Sequence, residues 1–355
     1  MQLGLGLYRH MLKPENFRFA RQAGASAIVA HLCDYFAEGP RIPTTDEQGW
    51  GMAGRGLEIW EPENLRAIKE SVEAEGLALA AVENLDPMLW HDVLLDGPRK
   101  PEQLETVKRI IRSFGEVGIP ILGYNFSMAG VWGHVEGPYA RGGAESVAFL
   151  GADGPPETPI PNGMVWNMFY DPDAPPGEPL AVTAEQLWRR LDDFLAAVLP
   201  VAEEAGVQLA LHPDDPPMPT LRGTARLVYQ PSLYQKLLDM RPSPANKLEF
   251  CIGSLAEMSE GDIYEVVDTY SRQDALAYVH FRNVRGKVPR YHEVFVDEGD
   301  VDMLRVIRIL HDNGYDGVLI PDHTPQMTCA APWHAGMAFA LGYMRAAIQA
   351  CGGSS

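Results

Sequence analysis

Cysteine is scarce in this chain, with four residues in 355, and none of them belongs to a CxxC pair: the local phrases are HLCDY, EFCIG, MTCAA and QACGG. So few and so scattered, they exclude the disulfide framework that stabilises small secreted domains. Long apolar runs are also missing. No stretch approaches the ~20 residues that span a bilayer. The opening MQLGLGLYRH has no basic flank leading into an apolar segment, so no signal peptide is expected and the protein reads as cytoplasmic. Positive charge is the third shortage: 29 Lys and Arg stand against 48 Asp and Glu, a net charge of −19. Such a surface repels phosphate backbones and anionic lipid, which excludes nucleic acid and membranes as general partners. A dinucleotide-binding fingerprint fails as well. Gly4 and Gly6 give GxG, but Arg9 stands where the third glycine belongs.

Hydrophobic residues make up 46% of the chain and charged residues 22%, ordinary globular values that exclude extensive disorder. One phrase recurs: a helix-like segment, a glycine, then a short apolar run. It reads RQAGASAIVAHL, EAEGLALAAVEN, GEVGIPILGYNF, EEAGVQLALHPD and HDNGYDGVLIPDH. The glycine suits a left-handed helix stop. The run after it is apolar nearly throughout, as expected of a parallel strand covered on both faces. With QLGLGLY, KLEFCIG and LAYVHFRNV, this predicts eight strands, at about 3–7, 27–32, 77–82, 119–124, 207–212, 247–252, 276–281 and 317–321. Strands alternating with amphipathic segments predict a single (β/α)8 TIM barrel domain over residues 1–355; a doubly wound sheet is the weaker alternative. Two Gly- and Pro-rich stretches interrupt the repeat, at about 37–60 and 128–182. Both follow strands, so both are expected to be long loops over the C-terminal face, where such barrels place their chemistry.

The predicted strand ends are rich in metal-binding residue types. Strand five ends at His212, strand six at Cys251, strand seven at His280, and strand eight at Asp322 and His323. The successive intervals His212 to Cys251, Cys251 to His280 and His280 to Asp322 are 39, 29 and 42 residues, each about one β/α unit. Taken singly, a strand cysteine is ordinarily a small core residue, and Asp322 could be a helix cap. Together, two imidazoles, a thiolate and a carboxylate make a full donor set for a divalent transition metal. Arg282 and Asn283 follow His280, and an arginine there suits a substrate carboxylate, which it can grip with two parallel bonds. His212-Pro213-Asp214-Asp215-Pro216-Pro217 reads as a rigid acidic wall, with Asp214 a candidate for substrate contact. Asn125 at the end of strand four could bind a sugar hydroxyl or cap a loop. The loop tryptophans, Trp50, Trp60, Trp90, Trp132, Trp166 and Trp333, could stack on sugars or plug the loops.

These residues resemble the signature of the mannonate dehydratase family, xylose-isomerase-like TIM barrels. The matching phrases are RQAGASAIVAHL, GYNF, LHPDDPP, CIGS, VHFRNV, GDVDM and PDH, running from the first strand to about residue 327. The resemblance implies a lyase that uses Mn2+ or Fe2+, with Zn2+ also compatible, to dehydrate D-mannonate or a close relative to a 2-keto-3-deoxy acid. It places the metal on His212, Cys251, His280 and Asp322, and an acid/base role on His323. Two phrases depart from the pattern. Trp132 is followed by Gly133 and His134 where the family carries an arginine, which makes His134 a candidate substrate contact. Pro332-Trp333-His334-Ala335 replaces a tyrosine-bearing phrase, which makes His334 a second candidate acid or base. A metal-dependent sugar isomerase or epimerase, and a sugar-binding protein without catalysis, share the same features. Pairing of such barrels into a homo-oligomer is expected by analogy.

Overall fold

A computed structural model of the chain describes residues 1–36 and 51–352. Eight parallel strands, Gln2–Leu7, Ala27–His31, Ala78–Glu83, Ile121–Tyr124, Gln208–Leu211, Asn246–Cys251, Leu276–His280 and Val318–Ile320, close into a barrel in chain order. Every boundary falls within two residues of the expected run. The agreement has a simple cause: each strand is buried on both faces, so each is legible as a continuous apolar segment. In the first strand Leu3, Leu5 and Leu7 join the main core between strands and helices. Gly4 points inward, against Val318 and Ile320. A smaller, separate core of Ala27, Val29, Ala81, Ile121, Ala210, Ala277, Tyr278, Val318 and Ile320 fills the barrel.

The glycine of each repeated phrase stops a helix as expected: Gly24, Gly76, Gly118, Gly206 and Gly314 have φ between 67° and 98°. The helix Ala184–Ala205 is also fixed at its start, where Thr183 and Gln186 form a reciprocal capping box. Inside the barrel, glycine serves a different end. A Cβ on Gly123 would lie 2.3 Å from the Tyr278 hydroxyl and 2.4 Å from Glu249 Oε2. Gly123→Ala is therefore expected to lower stability by about 1–3 kcal/mol, the usual penalty for overpacking, read as a lower denaturation midpoint with unchanged slope.

The stretch 128–182 is not the irregular loop that its Gly and Pro content predicts. His134–Ala140 and Ala144–Phe149 form an antiparallel hairpin, and Arg290–Val294 and Asn283–Lys287, from the loop after the seventh barrel strand, extend it to four strands. Its central pairing joins Tyr291 to Phe149 and His292 to Ala148. Partners this distant in sequence leave no local pattern, which is why composition misread them. Of the first insertion, residues 37–50, with Trp50, lie outside the described residues. Trp60, Trp90, Trp132 and Trp166 are buried plugs rather than open stacking platforms. Among the described residues, no helix is long and apolar enough to cross a membrane.

Candidate active site

The barrel brings the ends of its fifth to eighth strands to one spot. Donor atoms of His212, Cys251 and His280 lie within 4.8 Å of one another. Asp322 joins them, with Oδ1 3.5 Å from His280 Nδ1 and Oδ2 4.0 Å from Cys251 Sγ. Strand register makes this unavoidable, since Cys251 pairs with His280 and His280 with Ile320, two residues before Asp322. Asp322 itself sits at φ 63°, a left-handed conformation that aspartate adopts more readily than most non-glycine residues. Two imidazoles, one thiol and one carboxylate suit a divalent transition metal. His280 Nδ1, buried and aimed into this group, finds no hydrogen-bond partner among the described residues.

The electrostatics favour ionised ligands. Burial pushes the Cys251 thiol up, but the Arg282 charge and the neighbouring His212 and His280 rings overcome it and hold the thiol well below its ordinary range. Asp322 is likewise held low, with His323, His280 and Arg282 outweighing burial. Below these residues lies an acidic layer. Glu83 Oε2 is 3.2 Å and Glu249 Oε1 3.3 Å from His280 Nε2. Two carboxylates so close do not both stay charged in a buried site. Burial and the charge on Glu83 drive Glu249 well above the carboxylate range. Glu83, despite its own burial, is held down by His31 and His280.

Arg282 departs from expectation. It is 2% exposed and ringed by protein carboxylates. Its terminal nitrogens pair with Asp215 at 2.6 Å, Glu257 at 3.1 Å and Glu293, while Nε lies 3.0 Å from Asp322. Ser254 Oγ, 3.2 Å away, and Cys251 Sγ, 3.6 Å away, complete the ring. With its donors occupied in this way, the guanidinium organises the site's acids instead of presenting itself to a substrate carboxylate.

His323 stands beside Asp322, with Nδ1 3.2 Å from both oxygens of Glu293 and Nε2 3.5 Å from Asp322 Oδ1. Its side chain stays 49% exposed, open to an incoming molecule. Burial disfavours its charge, but Asp322 and Glu293 prevail and push it up. His134 forms a second edge of the site: Nε2 lies 2.6 Å from the Tyr291 hydroxyl and 3.6 Å from Asp215 Oδ1. Asn125 is half-buried and donates to Asn84 Oδ1 at 3.2 Å.

Three expected residues serve other ends. The Asp214 carboxylate accepts from the amides of Leu227 and Val228 at 2.7 and 2.9 Å and pairs with Arg226 at 2.8 Å; it locks its loop instead of facing a substrate. Asn283 donates to the carbonyls of Val296 and Val301, both at 3.0 Å, and accepts from the amides of Val284 and Val301, which uses its hydrogen-bonding capacity on the backbone. His334 packs edge-on against Phe19 at 4.8 Å, beside Trp333, near the start of the helix Pro332–Ala350.

Sequence reasoning missed Glu83, Glu249, Asp215, Glu257, Tyr291 and Glu293. Two carried a readable signal. Glu83 ends the third strand as an acid after an apolar run. Glu249 stands two residues before Cys251, on the same strand face by period-two alternation. Asp215 was hidden behind its chemically identical neighbour Asp214, since no local pattern tells which of the two faces Arg282. Glu293 and Tyr291 belong to the unanticipated hairpin and had no local signal.

The chain matches the family model for D-mannonate dehydratase (UxuA) over residues 18–148 and 180–346. The unmatched interval between them falls within the second insertion. A mannonate dehydratase of Streptococcus equi subsp. zooepidemicus is 31% identical over 280 residues, 75% of each chain. That of Oceanobacillus iheyensis is 30% identical over 288 residues, covering 75% of this chain and 78% of the relative. The crystal structure of mannonate dehydratase from Streptococcus suis serotype 2 superposes with a TM-score of 0.75 at 25% identity, over 100% of this chain and 95% of that one. A 3-keto-D-glucoside 4-epimerase from E. coli reaches a TM-score of 0.58 at 12% identity, a likeness of fold alone. With the model matched over most of the chain and relatives at 30–31% identity across three quarters of it, this chain belongs to the mannonate dehydratase family.

Proposed function

We infer that the protein is a hydro-lyase that dehydrates D-mannonate to 2-keto-3-deoxy-D-gluconate. The reaction removes the C2 proton, breaks the C3–O bond and releases the hydroxyl as water; the enol so formed becomes a ketone by taking a proton at C3. The carrying observation is the convergence of His212, Cys251, His280 and Asp322 around one point, with His280 Nδ1 unpartnered, in a chain of this family. We propose these four as ligands of Mn2+ or Fe2+, with Zn2+ also compatible with the donor set. Bound there, such an ion would supply Lewis acidity to the substrate.

The protein's own groups then have distinct tasks. His323, half-exposed beside the ligands and flanked by Asp322 and Glu293, donates a proton to the departing C3 hydroxyl. Glu293 orients that ring through Nδ1. Arg282 is a positioning residue, tying Asp322, Glu293 and Asp215 into one frame. His134, supported by Tyr291 and Asp215, and Asn125 line the mouth as candidate partners for substrate hydroxyls.

The test is a panel of aldonates and uronates incubated with Mn2+-loaded protein and followed by mass spectrometry. D-Mannonate is expected to lose the mass of one water and gain a keto group. Conversion at unchanged mass indicates an isomerase or epimerase, and saturable binding without conversion indicates a sugar-binding protein.

A further inference from the structure

We propose that Glu83 is a positioning residue that fixes which nitrogen of His280 faces the metal, so that the ion is held through Nδ1 and the ring N–H is confined to Nε2. This rests on the metal reading above. The two edges of the His280 ring have opposite surroundings. On the Nδ1 edge stands Asp322, with Oδ1 at 3.5 Å, and no hydrogen bond satisfies that nitrogen among the described residues. On the Nε2 edge stand Glu83 Oε2 at 3.2 Å and Glu249 Oε1 at 3.3 Å. A neutral imidazole carries one N–H. Placed at Nε2 it meets a carboxylate acceptor; placed at Nδ1 it would block the ligand position and leave Nε2 without a donor to offer.

The carboxylate is held in place by its own contacts. Glu83 ends its strand one residue before Asn84, whose side-chain amide reaches Glu83 Oε1 at 3.5 Å, and His31 Nε2 approaches Oε2 at 3.7 Å. Glu83 is 5% exposed and Glu249 fully buried. Glu249 packs under the absent side chain of Gly123, together with the Tyr278 hydroxyl. Outer-shell carboxylates of this kind set ring orientation and ligand basicity, and removing one typically weakens metal binding about 10–100-fold.

The experiment compares Zn2+ and Co2+ affinity, by chelator competition, in the wild-type protein, Glu83→Leu, Glu83→Gln and a Cys251→Ser control. Wild-type protein loaded with Co2+ is expected to show a thiolate charge-transfer band that Cys251→Ser abolishes. Its Zn2+-loaded form is expected to show His280 protonated at Nε2 by imidazole 15N shifts. Glu83→Leu should bind about 10–100-fold more weakly. Glu83→Gln, which keeps an acceptor oxygen but can also donate, should fall between the two and lose the single Nε2-protonated form. If Glu83→Leu does not fold, the isosteric glutamine decides by the same 15N readout. Affinity within about twofold of wild type and an unchanged 15N spectrum in the glutamine variant, with the cobalt band intact, overturn the role of Glu83 alone. Absence of a thiolate band in the wild type overturns the metal site, and this proposal with it.

Discussion

Cys251→Ser is expected to reduce affinity for Fe2+ or Zn2+ by at least ~100-fold, the upper end of what the loss of an outer-shell partner does, because here a ligand atom itself is removed. A neutral hydroxyl on a shorter bond replaces a polarisable thiolate. The loss should be smaller for Mn2+, which prefers oxygen. The fold should survive. Cys251 caps a short helix by accepting from the Ser254 amide at 3.4 Å, a bond that a serine oxygen can also accept, so the penalty of burying a polar group is partly offset. Elemental analysis per chain and a thermal melt measured together separate the two effects. Full metal occupancy with wild-type turnover would remove Cys251 from the site and leave His212, His280 and Asp322. Reduced stability with unchanged metal would make the cysteine a packing residue only.

His323→Asn is expected to lower kcat on D-mannonate by about 10²–10⁴-fold, the usual contribution of a positioned acid or base, while metal per chain stays at the wild-type level. Asparagine can still bond Glu293, which has both oxygens 3.2 Å from the native Nδ1, but it cannot deliver a proton. His334→Asn is the internal comparison. With its ring against Phe19, that change is expected to alter stability slightly and turnover by less than a few-fold. A His323 variant with native turnover, or a His334 variant as impaired as His323→Asn, defeats this assignment.

The sequence by itself determined the barrel and which residues end its strands. Eight doubly buried strands must each be apolar along their length, and five helix stops with φ of 67° to 98° called for glycine; both demands are written locally. The same periodicity put His212, Cys251, His280 and Asp322 at successive strand ends, and closing a barrel necessarily gathers such ends on one rim. What surrounds those residues depended on contacts between segments far apart in the chain. Arg282 reads locally as a free cation, but it is enclosed by Asp215, Glu257, Glu293 and Asp322. Glu293 reaches it only because Asn283–Lys287 pairs antiparallel with Arg290–Val294 and folds it back over the barrel mouth. Asp214 and Asp215 are adjacent and chemically identical, yet one locks a loop and the other faces Arg282. Side-chain direction in an extended loop is settled by the packing of its neighbours, so only the tertiary structure could tell them apart.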